Sequence, residues 1–162
     1  MTSGESGQGD AAALDGPNCQ IVRTLDVIGE KWSILIVRDA MRGISRFSEF
    51  RASLGAPSDI LTARLAKLVA AGVLEKRSYR EAGSRERFSY HLTESGLALK
   101  PVLGALLQWG DSFVPYAGGA ASVAVQRESR EPVSVAFVTP DGHPLAAADV
   151  DLAPGPAARR PW

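Results

Sequence analysis

Residues 47–74, "FSEFRASLGAPSDILTARLAKLVAAGVL", constrain the fold more than any other stretch of the chain. Phe47, Phe50 and Leu54 recur at i, i+3 and i+7, the spacing of one helix face. The residues "GAPS" then break the pattern. Pro57 disfavours a helical residue before it, and Ser58 can cap a new start. The segment that follows places Leu61, Leu65 and Leu68 on one side and stops at Gly72. Two short helices joined by a tight turn, each apolar on one side, form a helix-turn-helix only if further helices cover those sides.

The flanking sequence supplies that cover. Asn18 is a good N-cap residue for "CQIVRTLDVIG", where Ile21, Val22, Leu25 and Ile28 keep helical spacing up to Gly29. "KWSILIVRDAM" is apolar almost all round, which fits a helix buried on most sides, and Gly43 is placed to end it. After Gly72 the period changes from helical to two. "VLEKRSY" and "RFSYHLT" alternate around the polar connection "REAGSRE", so they read as a hairpin with a long tip. Thr93 then caps "ESGLALKPVLGALLQWGDSF", a helix with Pro101 inside it, where a kink or a late start is expected. Its Leu97, Val102, Leu103, Leu106, Leu107 and Trp109 exceed what one small domain has to cover.

Three segments follow from this: a disordered arm over 1–17, a helical domain with a small β-hairpin over 18–116, and an extension over 117–162. The arm carries four Gly and no aromatic residue. In the extension, "VSVAFVTPDGHPLAAADVDL" reads as two short strands around a Pro-Asp-Gly turn, and "APGPAARRPW" as an extended tail. The fold class is therefore mainly α with a small β wing and a C-terminal hairpin-like extension.

The chain has 162 residues, 18 basic and 18 acidic side chains, and no net charge. That neutrality is a sum of unlike parts. Residues 1–19 carry −3, residues 20–116 carry +4 and residues 117–162 carry −1. A basic centre is masked by acidic flanks. A single cysteine forms no internal disulfide, and two histidines offer no zinc spacing. No nucleophile, base and orienting residue fall at recognisable spacing, so neither an enzyme nor a metal or other cofactor is expected. There is no signal peptide pattern and no run of the ~20 apolar residues that span a bilayer, so a cytoplasmic chain without membrane contact is expected.

The order of elements, helices, helix-turn-helix, basic hairpin, long apolar helix, is the layout of a winged helix. In that layout the second helix of the motif enters a major groove of double-stranded DNA while the wing reaches backbone. The stretches "CQIVRTLDVIGEKWSILIVRD", "RFSEFRASLGAPSDILTARLAKLVAAGVLEKR", "YHLTESG" and "LLQWGDSF" also resemble the HxlR-type winged-helix transcription regulators, over residues 19 to about 113. The resemblance implies a homodimer built from the first and last helices, reading a palindromic site. Two departures stand out: Asp59 and Ala63 replace the longer polar residues frequent in the family. A wing tip with Gly83 and Ser84 replaces its double proline.

The candidate groove-facing residues are Ser58, Asp59, Thr62, Ala63, Arg64 and Lys67. Small residues on that face permit close approach to base edges, and the flanking cations suit phosphates. Arg80, Arg85 and Arg87 of the hairpin are candidate backbone contacts, with Glu75, Glu81 and Glu86 available to pair some of the neighbouring cations. Ile21, Leu25, Leu97, Leu103, Leu106, Trp109 and Phe113 are the candidate dimer interface. Trp32 reads as core. Cys19 stands at the start of the first helix; a cysteine there senses oxidants in some relatives, while a small apolar core residue is the other reading. His91 and His143 have no partner at catalytic or metal spacing. A small molecule is a candidate effector, though no residue names it. The alternative function is a winged-helix module that binds protein without specific DNA binding.

Overall fold

The computed structural model describes residues 18–158 apart from Ala82 and Ser84. The expected N-terminal arm, residues 1–17, lies outside the described residues. Six helices and four short strands follow in order. They are α1 (Gln20–Ile28), α2 (Lys31–Met41), α3 (Phe47–Leu54), α4 (Ser58–Ala70), β1 (Leu74–Tyr79), β2 (Arg87–Leu92), α5 (Glu94–Leu97), α6 (Lys100–Phe113), β3 (Phe137–Val138) and β4 (Pro144–Leu145).

The core forms where the apolar stripes of these helices meet. Ile36, Val37, Phe50, Leu61, Leu65 and Leu68 are fully buried, with Ile28, Ala56, Val73 and Leu74 closing the cluster. The three leucines of α4 thus carry its inner face. Burying each contributes roughly 1.5–3 kcal/mol, which holds α4 against α2 and leaves its opposite face bare. Phe47, Leu54 and Trp32 pack at the edge of the same cluster. In the turn between α3 and α4, Gly55 adopts φ 63°, a left-handed conformation that costs glycine little.

Two caps differ from the sequence expectation. Cys19, not Asn18, is the N-cap of α1, and the Asn18 amide instead donates to the Ala157 carbonyl at 3.5 Å. Pro57, not Ser58, is the N-cap of α4, with φ −56° and ψ 142°. Proline's fixed φ already sets that extended entry, so Ser58 joins the first turn. Thr93 does cap α5, accepting from the Gly96 N–H at 3.2 Å. The last helix is broken as Pro101 requires: α5 ends at Leu97, and α6 restarts at Lys100 with the proline in its first turn.

β1 and β2 pair antiparallel, from Leu74 opposite Leu92 to Tyr79 opposite Arg87. The segment before α3 adds a third edge to this sheet. Tyr90 N–H donates to the Ser45 carbonyl at 2.7 Å, and Arg46 bridges Ser89. The wing is thereby tied to the helix-turn-helix. In the extension, β3 and β4 pair over two residues each around the Thr139–Gly142 turn, and a single 3-10 turn covers Ala147–Asp149.

Candidate nucleic-acid interface

Because Leu61, Leu65 and Leu68 turn inward, α4 presents Ser58, Asp59, Thr62, Ala63 and Ala66 outward, all of them exposed. Ala63 and Ala66 leave room for a close approach. The Thr62 hydroxyl donates to the Ser58 carbonyl at 2.7 Å, so its lone pairs face out. Arg64 and Lys67 behave differently. Both reach Glu30 at the start of α2: Arg64 through Nη2, and Lys67 through Nζ at 3.1 Å. The α4 face is therefore made of small residues with one carboxylate, Asp59, in its first turn, and its two cations are held at one flank.

The wing sorts its cations in the same way. Arg77 pairs with Glu75, and Lys76 lies 3.7 Å over the Phe88 ring. Arg46, which the sequence reading did not single out, stacks 4.7 Å over Tyr79 and bonds Glu81 at 2.8 Å. Arg80, Arg85 and Arg87 are exposed, and among the described residues they form no ion pair. So one strand cation, Arg77, is paired with a carboxylate, Lys76 lies on a ring, and three arginines at and beside the tip stay exposed. This is the charge pattern of a wing that meets a phosphate backbone.

A compact helix-turn-helix with a bare small-residue face on its second helix and an attached basic wing is the geometry of a DNA-binding regulator. The model of the HxlR-like helix-turn-helix family matches residues 27–117. The chain belongs to that family. It is similar to the HTH-type transcriptional regulator Rv3095 of Mycobacterium tuberculosis, 33% identical over 135 residues, which cover 83% of this chain and 84% of that protein. Among solved structures it is similar to PA1607, described as a candidate transcription factor, at 40% identity and TM-score 0.74, over 87% of this chain and 98% of that one. The redox regulator HypR in its reduced form matches at 33% identity and TM-score 0.53, over 58% of this chain and 92% of that one. The protein is a transcriptional regulator with a helix-turn-helix DNA-binding domain.

These matches differ in extent. The 135 aligned residues of Rv3095 outnumber residues 1–116, so that match reaches into the extension. At least part of the segment after residue 117, where the family model ends, is therefore shared with Rv3095.

The candidate dimer residues divide into two groups. Ile21, Leu25, Leu97, Leu106, Trp109 and Phe113 are exposed, whereas Leu103 turns inward against the core. Leu103 is thus accounted for within one chain. On α6 the positions 102, 106, 109 and 113 share one stripe, and Trp109 and Phe113 lie 5.7 Å apart, ring centre to ring centre. Beside the stripe, an open apolar groove of about 480 Å³ runs between α1 and α6, lined by Ile21, Leu25, Ile28, Ile34, Val102 and Leu106. Cys19 is half-buried at the entry to α1. His91 bonds Ser89 at 2.8 Å and His143 lies 3.1 Å from Asp141, so both have local partners. No helix among the described residues is long and apolar enough to cross a membrane.

Proposed function

We propose that the protein works as a homodimer on a palindromic operator, its two α4 helices entering successive major grooves roughly 34–36 Å apart. The observation that carries this reading is the exposed stripe on α1 and α6, where Trp109 is 59% and Phe113 71% accessible. A monomer does not keep two aromatic rings and four large aliphatic side chains in water without a use for them. Ser58, Asp59, Thr62 and Ala63 face the bases, and Arg80, Arg85 and Arg87 contact phosphates. Asp59 sits in the first turn of α4, where the helix dipole favours its charge.

The test pairs sedimentation with fluorescence anisotropy. Wild type should sediment as a dimer and bind a full palindrome from its own promoter far more tightly than a half-site. Trp109→Glu should give a folded monomer that has lost that preference. Arg80→Ala, Arg85→Ala and Arg87→Ala together should flatten the dependence of log K on log salt by about 0.9 for each phosphate contact removed. A wild-type monomer, or binding indifferent to duplex and salt, refutes the reading and favours a protein-binding winged helix.

Modulation by an oxidant or a small molecule is a further part of the reading. It is supported by HypR, a redox regulator solved in reduced and oxidised forms. Cys19 is the candidate sensor. A Cys19→Ser variant whose operator binding still responds to oxidant removes it from that role and leaves the small molecule.

A further inference from the structure

Glu30 occupies an unusual place. It is the N-cap of α2, with φ −82° and ψ 134°, yet its carboxylate makes no bond to its own helix. Glutamate is not among the favoured N-cap residues, since its longer side chain overreaches the free N–H groups. Instead the carboxylate crosses to α4. One oxygen takes Arg64 Nη2 and the other takes Lys67 Nζ at 3.1 Å. Both oxygens are spent on cations of the recognition helix.

The two cations are held to different depths. With about 100° of turn per residue, Lys67 lies roughly 70° from the centre of the outward face set by Asp59, Ala63 and Ala66, whereas Arg64 lies roughly 130° round. The Lys67 side chain is 39% exposed and that of Arg64 24%. Arg64 Nε is buried without a hydrogen-bond partner. A guanidinium kept at that cost in desolvation is fixed by its carboxylate, not by solvent.

We infer that Glu30 is an internal counter-ion that withholds Arg64 and Lys67 from DNA phosphate and so sets how strongly the protein holds duplex regardless of sequence. The carboxylate offers the two cations the kind of oxygen-anion contact that a phosphate would offer. It cancels one of the two positive charges at the flank of α4 and fixes the direction of both side chains. A backbone phosphate gains these cations only by displacing Glu30. Non-specific binding therefore stays weak, and discrimination rests on the small-residue face. The inference rests on DNA binding through α4 and the wing and adds the residue that tunes it.

The experiment uses the full chain and a mixed-sequence 30-base-pair duplex, with anisotropy followed across a salt series. In Glu30→Gln the slope of log K against log salt should steepen by about 0.9 for one released cation and about 1.8 for two; near 0.15 M salt, affinity should rise about fivefold to thirtyfold. Glu30→Asp keeps the charge and is a better cap, so its shorter side chain turns to α2 and the slope should steepen in the same direction. Adding Lys67→Gln to Glu30→Gln should take back about 0.9, and the same change in the Glu30 protein should move the slope by less than half of that.

Three results overturn the inference. The slope stays at the wild-type value in both Glu30 variants; Lys67→Gln has the same effect with and without Glu30; or binding weakens in both variants together with thermal stability, which makes Glu30 a packing clamp. A wild-type protein that holds no duplex at low salt removes DNA binding itself, and this inference with it. Wild-type binding without any shift in the variants removes only the role of Glu30.

Discussion

Truncating Asp39 to alanine should cost more stability than any other single polar change in the helix-turn-helix. Asp39 is fully buried, and its carboxylate joins two helices. One oxygen accepts from Arg38 Nε at 2.8 Å and Nη2 at 2.7 Å, and the other accepts from the Ser53 hydroxyl at 2.7 Å. A hydrogen bond to a charged group contributes about 1.5–3 kcal/mol. The Arg38 side chain is 36% exposed and Ser53 is also exposed, so both recover water after truncation and the low end applies to each. The sum is about 3 kcal/mol for Asp39→Ala, a large share of the roughly 5–15 kcal/mol that holds a domain together. The melting temperature should fall by about 6–12 °C. Urea unfolding at fixed protein concentration, followed by tryptophan fluorescence, reads the loss as a lower midpoint at unchanged slope. Ser53→Ala alone should cost about 1.5 kcal/mol and almost nothing once Asp39 is gone. A loss below about 1 kcal/mol for Asp39→Ala, or a Ser53→Ala cost equal in both backgrounds, refutes the account of this carboxylate as the tie between α2 and α3.

Three further outcomes follow from local geometry. Gly96→Ala places a Cβ 2.3 Å from the Val73 carbonyl oxygen and 2.8 Å from Leu92, so it should lose about 1–3 kcal/mol or more by urea titration. Glu49 accepts the backbone N–H of Arg46 at 2.9 Å and of Ser45 at 3.1 Å, and these bonds, Arg46 first, hold its carboxyl below the ordinary 4.5. The stabilisation is complete above that value and is lost as pH falls through the lowered folded value; Glu49→Gln should flatten the stability profile below about pH 4.5 and leave that region unchanged if the bonds do not form. Gly104→Leu would drive a side chain into Val135, 2.8 Å from where its Cβ would stand, so a protease should cut the extension sooner while the melting of the helical core stays put.

The fold was legible in the sequence because its signals are short-range. Leucines four and three apart, a proline after a glycine, and a switch to period two are each decided within a few residues. Pro101 even marked the break between α5 and α6. The caps were misplaced by one residue, at Asn18 and at Ser58, because preference for a cap is weaker than the backbone geometry that a neighbouring proline or chain entry imposes. The interface was legible only in part. The wing arginines stand out as charge in a turn, but which of them is left unpaired depends on Glu75 and Glu81, and on Arg46 folding across to Tyr79. Nothing in the sequence connects Glu30 to Lys67, 37 positions apart. That contact exists only once α2 and α4 share the buried leucines.

The surplus of apolar residues in α6 has an explanation that needs all three of its sides. Leu103 points into the core, and Val102, Leu106, Trp109 and Phe113 form the exposed stripe. Gly104 and Gln108, one turn apart, face a third way and hold the extension. The Gln108 amide donates to the Val135 carbonyl at 3.1 Å and accepts the Val135 N–H, so one side chain pairs with a peptide as a neighbouring strand would. Gly104 is small where Val135 packs. The extension is therefore fastened to α6 on a side roughly opposite the stripe, about 200–240° round the helix from Val102, and leaves the stripe open. A segment that merely covered apolar surface would have lain on Trp109 and Phe113. Its place on the far side means that the stripe and the extension do different work on one helix. α6 thus carries the open stripe on one side and the fastening of the extension on the other.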